Sequence, residues 1–212
     1  MKEPFLLVNF KTYEQSTGKN AVALAKRISK IDRNIAVAPQ YVDINRLSNI
    51  CKNIFAQHVD GINFGRNTGH VLAESLKQAG AIGSLINHSE KRIEMKEIEL
   101  SVKACKRAGL ISIVCVPDVK TAAKVDRLKP NYIAIEPPEL IESGRAVSKI
   151  KPSLITNVAK NVKSKVICGA GISCGDDVKI ALELGVYGVL VSSAVVKAEK
   201  PEKILKEMIK YV

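Results

Sequence analysis

A lysine, a histidine and a glutamate stand at or just past the ends of short apolar runs in this sequence, at Lys11, His88 and Glu136. A carboxylate can take a proton, an imidazole can exchange one with an oxygen, and an ammonium can hold negative charge that develops between them. Two further runs end in small-residue turns, Gly169-Ala170-Gly171 and Ser192-Ser193. The backbone N–H groups of such turns can approach an anion closely. Together these run ends describe acid–base chemistry on an anionic substrate. Each also has a plainer explanation. Lys11 reads as a surface lysine and His88 as a helix-capping or hydrogen-bonded histidine. Glu136 reads as a helix-start acid, an awkward role because Pro137 follows and proline pushes the preceding residue out of the helical region. The glycines read as an ordinary strand-to-helix turn, the serines as N-caps. The chemical reading gains weight only if one fold brings all of these residues to the same face.

The elements that must do so are legible. Apolar runs occupy residues 5–10, 35–38, 53–57, 83–87, 110–116, 132–135, 166–168 and 186–191. Most are rich in Val, Ile or Leu without polar alternation, as strands buried on both faces are. Amphipathic stretches lie between them. Leu24, Ala25 and Ile28 share a helical face, as do Leu72, Leu76 and Ala79, then Met95, Ile98, Val102 and Cys105, and finally Ile204, Leu205, Met208 and Ile209. Gly80, Gly109 and Gly185 end three helices, because glycine accepts a left-handed cap. Asp176 and Asp177 open another, where acids favour the dipole. Strict alternation predicts a parallel α/β sheet. Eight units of about 26 residues predict closure into a (β/α)8 barrel, a single domain over residues 1–212 with trimmed helices; the short segments between the fifth and sixth runs (residues 118–129) and between the sixth and seventh are expected to leave apolar barrel wall for a partner to cover. A doubly wound sheet is the alternative, but it wants a glycine-rich first turn, and Asn9-Phe10-Lys11-Thr12-Tyr13 has no glycine. In a barrel the C-terminal strand ends build the site, so the residues above would share one mouth.

Composition narrows the function classes. Hydrophobic residues make up 46% of 212, which excludes a disordered chain. No apolar run approaches a bilayer span, and the N-terminus carries no signal-peptide pattern, so no membrane is expected. The five cysteines form no Cys-x-x-Cys pair and predict free thiols in a reducing cytoplasm. Thirty-three Lys and Arg against 21 Asp and Glu leave +12. The lysines are scattered at helical spacing without interleaved aromatics, so a solvated surface is expected, not a nucleic-acid partner.

The order and spacing of these motifs resemble the triosephosphate isomerase family in its archaeal form, over essentially the whole chain. Val8-Asn9-Phe10-Lys11 resembles its first-strand Asn-x-Lys, and Asn87-His88-Ser89-Glu90-Lys91-Arg92 its His-Ser-Glu-x-Arg segment. Ile135-Glu136-Pro137-Pro138-Glu139-Leu140-Ile141 is similar to its glutamate and sixth loop, and the turns at 168–173 and 189–193 to its phosphate-gripping turns. The resemblance implies Glu136 as base, His88 as neutral electrophile and Lys11 as fixed positive charge. It implies substrate contacts from Asn9, Phe10, Lys11, Ile141, Gly171, Ser192 and Ser193, with no metal and no cofactor. Triose phosphates are the implied partners, with a homotetramer or homodimer. Glu90 either orients Lys11 or is an ordinary first-turn acid. Thr68-Gly69-His70-Val71-Leu72 is similar to a third loop that reaches a neighbouring subunit, which places His58 near such a contact. Pro137-Pro138 at one end and Gly144 at the other predict a lid. Its tip, Glu142-Ser143-Gly144, departs from the family's Gly-Thr-Gly, and Ser192 is a milder change. A different phosphate-binding barrel, such as a sugar-phosphate epimerase, is the alternative; it needs a metal cluster that three histidines do not readily supply.

Overall fold

All eight expected strands form, and they close on themselves. A computed structural model describes residues 3–140 and 146–212. The strands are β1 (Phe5–Asn9), β2 (Ala36–Ala38), β3 (Asn53–Ala56), β4 (Gly83–Ile86), β5 (Ile111–Val116), β6 (Tyr132–Ile135), β7 (Lys165–Cys168) and β8 (Gly188–Val191). They pair in sequence order, all parallel, and β8 returns to β1 with Phe5 beside Gly188 and Val8 beside Val191. Successive side chains point to opposite faces of a strand. One set, including Phe5, Leu7, Phe55, Leu85, Ile113, Cys115, Tyr132, Ala134, Ile167 and Leu190, fills the barrel. The other, including Leu6, Val8, Val37, Ile54, Ile86, Val114, Ile133, Val166 and Val189, packs outward under the helices. Both faces are buried, which is why the strands show no polar alternation.

The helices are α1 (Lys19–Ile31), α2 (Tyr41–Leu47), α3 (Ala73–Gln78), α4 (Met95–Ala108), α5 (Val119–Asp126), α6 (Val147–Ile150), α7 (Pro152–Asn161), α8 (Gly175–Glu183), α9 (Ser193–Val196) and α10 (Pro201–Met208). Their starts and stops follow local chemistry. Glu94 and Glu97 form a reciprocal capping box on α4, and Gly109 ends it at φ 65°, where a Cβ would be strained. Asp118 caps α5 by accepting from the Thr121 N–H at 2.7 Å.

The trimming is placed differently from expectation. The connection between β6 and β7 was expected to be reduced, yet it carries both α6 and the ten-residue α7. The shortest coverings are α2 and α3, of seven and six residues. Short α5 was also expected to leave apolar barrel wall uncovered. In the single chain the outward side chains Val114, Val116, Ile133 and Ile135 are buried, where α4 and α5 pack on β5 and α5 packs on β6. Among the described residues no helix is long and apolar enough to cross a membrane.

Candidate active site

The alternation of each strand continues past its last residue and decides what enters the mouth. Inward Phe5 and Leu7 are followed by Asn9, inward Tyr132 and Ala134 by Glu136, Ile167 by Gly169, and Leu190 by Ser192. All four line one cavity of about 310 Å³ at the C-terminal ends of the strands, together with Lys11, His88, Gly171 and Ser193. Phe10 has the opposite parity. Its side chain is fully buried in the outer cluster with Leu6 and Val8, so it does not face the cavity, and its expected substrate contact is corrected to a packing role.

Glu136 is 1% exposed, and its Oε1 stands 3.6 Å from His88 Nε2, too far for a direct hydrogen bond. Its Oε2 is buried and has no hydrogen-bond partner among the described residues. Burial pushes its carboxyl above the usual carboxylate range, while His88, the Cys115 thiol, Arg92 and Lys11 each pull the other way. A carboxylate so placed is under-solvated and proton-seeking. Gly169 leaves room for it: a Cβ there would lie 2.8 Å from Glu136 Cγ and 2.9 Å from Oε1.

His88 is held in one tautomer. The Glu90 N–H donates to His88 Nδ1 at 3.2 Å, which requires a lone pair on Nδ1. The ring is then neutral with its proton on Nε2, the nitrogen facing Glu136. Lys11 is 7% exposed, and its ammonium meets Glu90 Oε1 at 2.8 Å. That contact resolves the two readings of Glu90 in favour of orienting Lys11. Lys11 and Asn87 both adopt the left-handed region, at φ 48° and 60°. Such strain in a non-glycine residue persists only where the surroundings impose it. Asn9 Oδ1 accepts the Lys11 N–H at 2.9 Å, and Gln57 Nε2 donates to the Lys11 carbonyl at 2.9 Å. Asn87 Nδ2 donates to the Cys115 carbonyl, and its Oδ1 accepts from the Ile93 N–H.

The far side of the cavity is backbone. The turn after β7 supplies Gly171, Ile172 and Ser173, and the turn after β8 supplies Ser192, Ser193 and Ala194. Ser192 Oγ donates to the Asn9 carbonyl at 2.8 Å and ties the first and last strands at the mouth. Ile141 and the expected lid tip Glu142-Ser143-Gly144, with Arg145, lie outside the described residues. His58 and His70 do not join the site. They line a separate hollow of about 150 Å³ with Asp60 and Glu97, where His58 Nε2 is 3.1 Å from Asp60 Oδ1.

Several supporting residues escaped the reading of the sequence. Cys115 is fully buried beside the Glu136 carboxylate, and burial next to that carboxylate drives its thiol pKa well up. Its inward parity, two residues after Ile113, was the available signal. Gln57 follows Phe55 in the same way. Among the described residues no group of three or more His, Cys, Asp or Glu is arranged to hold a metal ion.

A closed parallel barrel with a buried carboxylate, a neutral imidazole and an ammonium converging at its C-terminal mouth defines a (β/α)8-barrel enzyme of acid–base chemistry. The family model described as triosephosphate isomerase matches residues 4–210. The chain is 48% identical to the triosephosphate isomerase of Methanosarcina mazei, over all of both chains. It is 45% identical to that of Methanocaldococcus jannaschii, over 98% of this chain and 99% of the relative. The crystal structure of triosephosphate isomerase from Bartonella henselae shares the fold, with a TM-score of 0.76 at 19% identity and 98% of each chain covered. The chain belongs to the triosephosphate isomerase family.

Proposed function

We propose that this chain interconverts glyceraldehyde 3-phosphate and dihydroxyacetone phosphate, a step of glycolysis and gluconeogenesis, by proton transfer through an enediolate. The observation that carries the reading is the buried Glu136 carboxylate facing His88 Nε2 across a cavity that Lys11 also lines. Glu136 takes a proton from the carbon beside the carbonyl. The C–H electron pair becomes the C=C bond, and the carbonyl pair moves onto oxygen. His88 Nε2–H donates to that oxygen, and Lys11 balances the negative charge, so the stabilising groups are in place before the charge develops. Glu136 then returns the proton to the neighbouring carbon, while His88 shifts a proton between the two oxygens. The substrate is rearranged with no net gain or loss of electrons.

Asn9 orients the substrate, and the backbone N–H groups of Gly171, Ser192 and Ser193 receive its phosphate, with Ile141 added by resemblance to the family. The relatives' names support the substrate. The chain works in the cytoplasm, a reading supported by five free cysteines. It self-associates as a homotetramer, with a homodimer as the alternative, a reading supported by exposed Phe64 between β3 and α3 and by Met95 and Leu100 on α4. A coupled assay of triose-phosphate interconversion tests the reaction. Activity in the wild type and its loss in Glu136→Gln support the reading; equal rates in the two proteins overturn it.

A further inference from the structure

We infer that Asp177 and Lys149 form a charge-compensated positioning pair that holds the turn after β7 in the shape that receives the substrate's phosphate. The inference rests on the reading above, which puts the phosphate at that turn.

Asp177 is the third residue of α8, and its side chain is 4% exposed. One carboxylate oxygen, Oδ2, accepts the Ser173 N–H at 2.9 Å, the Ser173 hydroxyl at 2.9 Å and the Cys174 N–H at 3.3 Å. The other, Oδ1, meets Lys149 Nζ at 2.7 Å. Lys149 belongs to α6, which docks on the same turn: the Val147 N–H donates to the Ala170 carbonyl at 3.0 Å, and Ser148 Oγ donates to the Asp177 carbonyl at 3.2 Å. Two chain segments on either side of β7 are thus fastened through a single carboxylate, and Ser173, the residue it grips, lines the cavity.

A carboxylate is an effective organiser of such a turn, because it accepts several N–H and O–H groups at once. It is a poor neighbour for a phosphate, since its negative charge repels the dianion. The Lys149 ammonium removes that conflict. It cancels the charge of Asp177 and leaves its hydrogen bonds to Ser173 and Cys174 in place. A capping residue that served α8 alone would need no lysine from α6.

The two accounts separate on phosphate affinity. Inorganic phosphate is titrated calorimetrically into the full chain as wild type, Lys149→Met, Lys149→Arg and the double variant Lys149→Met/Asp177→Asn. Lys149→Met is expected to weaken phosphate binding roughly three- to tenfold, given one uncompensated charge under partial screening. KM for triose phosphate should rise by the same factor with kcat within about twofold, as befits lost ground-state binding. Lys149→Arg should keep wild-type affinity. The double variant should recover to within about twofold, because asparagine still accepts from Ser173 without a charge. Wild-type affinity in Lys149→Met, or no recovery in the double variant, would overturn the pair, whatever happens to the melting temperature. A wild type that binds phosphate yet fails to isomerise triose phosphates would refute the reaction, while the titrations still decide the pair.

Discussion

Glu136 concentrates the chemistry of the site in one side chain. It is buried, its Oε2 has no hydrogen-bond partner among the described residues, and its reach to the cavity is set by the strand end from which it projects. Glu136→Asp retracts the carboxylate by one methylene. A misplacement of about 1 Å can cost 100-fold, so kcat should fall by at least ~100-fold, with circular dichroism unchanged. A variant with near wild-type kcat would remove Glu136 from its role. Glu136→Gln should do something else as well: stabilise the fold. Burial raises the carboxyl pKa above its ordinary 4.5, so the folded protein resists an ionisation that the unfolded chain accepts. Below pH 4.5 the wild type is protonated at this site in both states and should match the variant. As the pH rises from there through the raised value, the wild type should fall behind by roughly 1 kcal/mol, the scale of an unsatisfied buried group. Denaturant melts at acid and neutral pH check this, and a variant less stable at neutral pH would contradict it. The types and order of Asn9, Lys11, His88 and Glu136 were legible in the sequence. Their supports were not, because the Cys115 thiol and the Gln57 amide reach the site only across neighbouring strands.

At the scale of elements, strand ends and turns do the positioning. Strand parity sends Asn9, Glu136, Gly169 and Ser192 inward and Phe10 outward, a distinction contained in the alternation of the sequence itself. The turn after β7 works by close approach. Gly169→Ala would place a Cβ 2.8 Å from Glu136 Cγ, with the fixed backbone of β7 behind it. The base must yield, so kcat should drop about tenfold or more while KM changes little. Overpacking should also destabilise the fold by roughly 1–3 kcal/mol. Steady-state kinetics beside a thermal melt measure both, and an alanine variant with unchanged kcat would show that Glu136 is not confined by this turn. The lid expected between Pro137 and Gly144 falls largely outside the described residues.

For the molecule as a whole, the question is what covers its remaining apolar surface. The expectation of a bare wall beside α5 fails, since the helices around it bury β5 and β6 within one chain. Exposed apolar side chains lie elsewhere: Phe64 is 74% exposed, and Met95 and Leu100 sit on α4 at 36% and 40%. Large apolar side chains left exposed favour association. The net charge of +12 opposes it, but screening over roughly 8 Å at physiological salt weakens repulsion between scattered lysines. Light scattering coupled to size exclusion at micromolar protein should give about four times 23.0 kDa. A stable, active dimer would leave one interface standing, and a monomer would remove both. Phe64→Ser should shift the assembly toward smaller species if the segment before β4 makes contact.

The barrel and the main acid–base constellation were determined by local sequence: unbroken apolar runs, helical faces between them, glycine stops, and reactive residues at the run ends. These signals are short-range, because a strand's burial and a helix's cap depend on neighbours a few residues away. Tertiary structure decided the rest. It chose which nitrogen of His88 carries the proton, through the Glu90 N–H. It set the separation of Glu136 from His88, linked Asp177 to Lys149 across β7, and closed the wall beside α5. Each of these depends on groups brought together from different strands and helices, and on the loss of water around them, which no single segment of the chain contains.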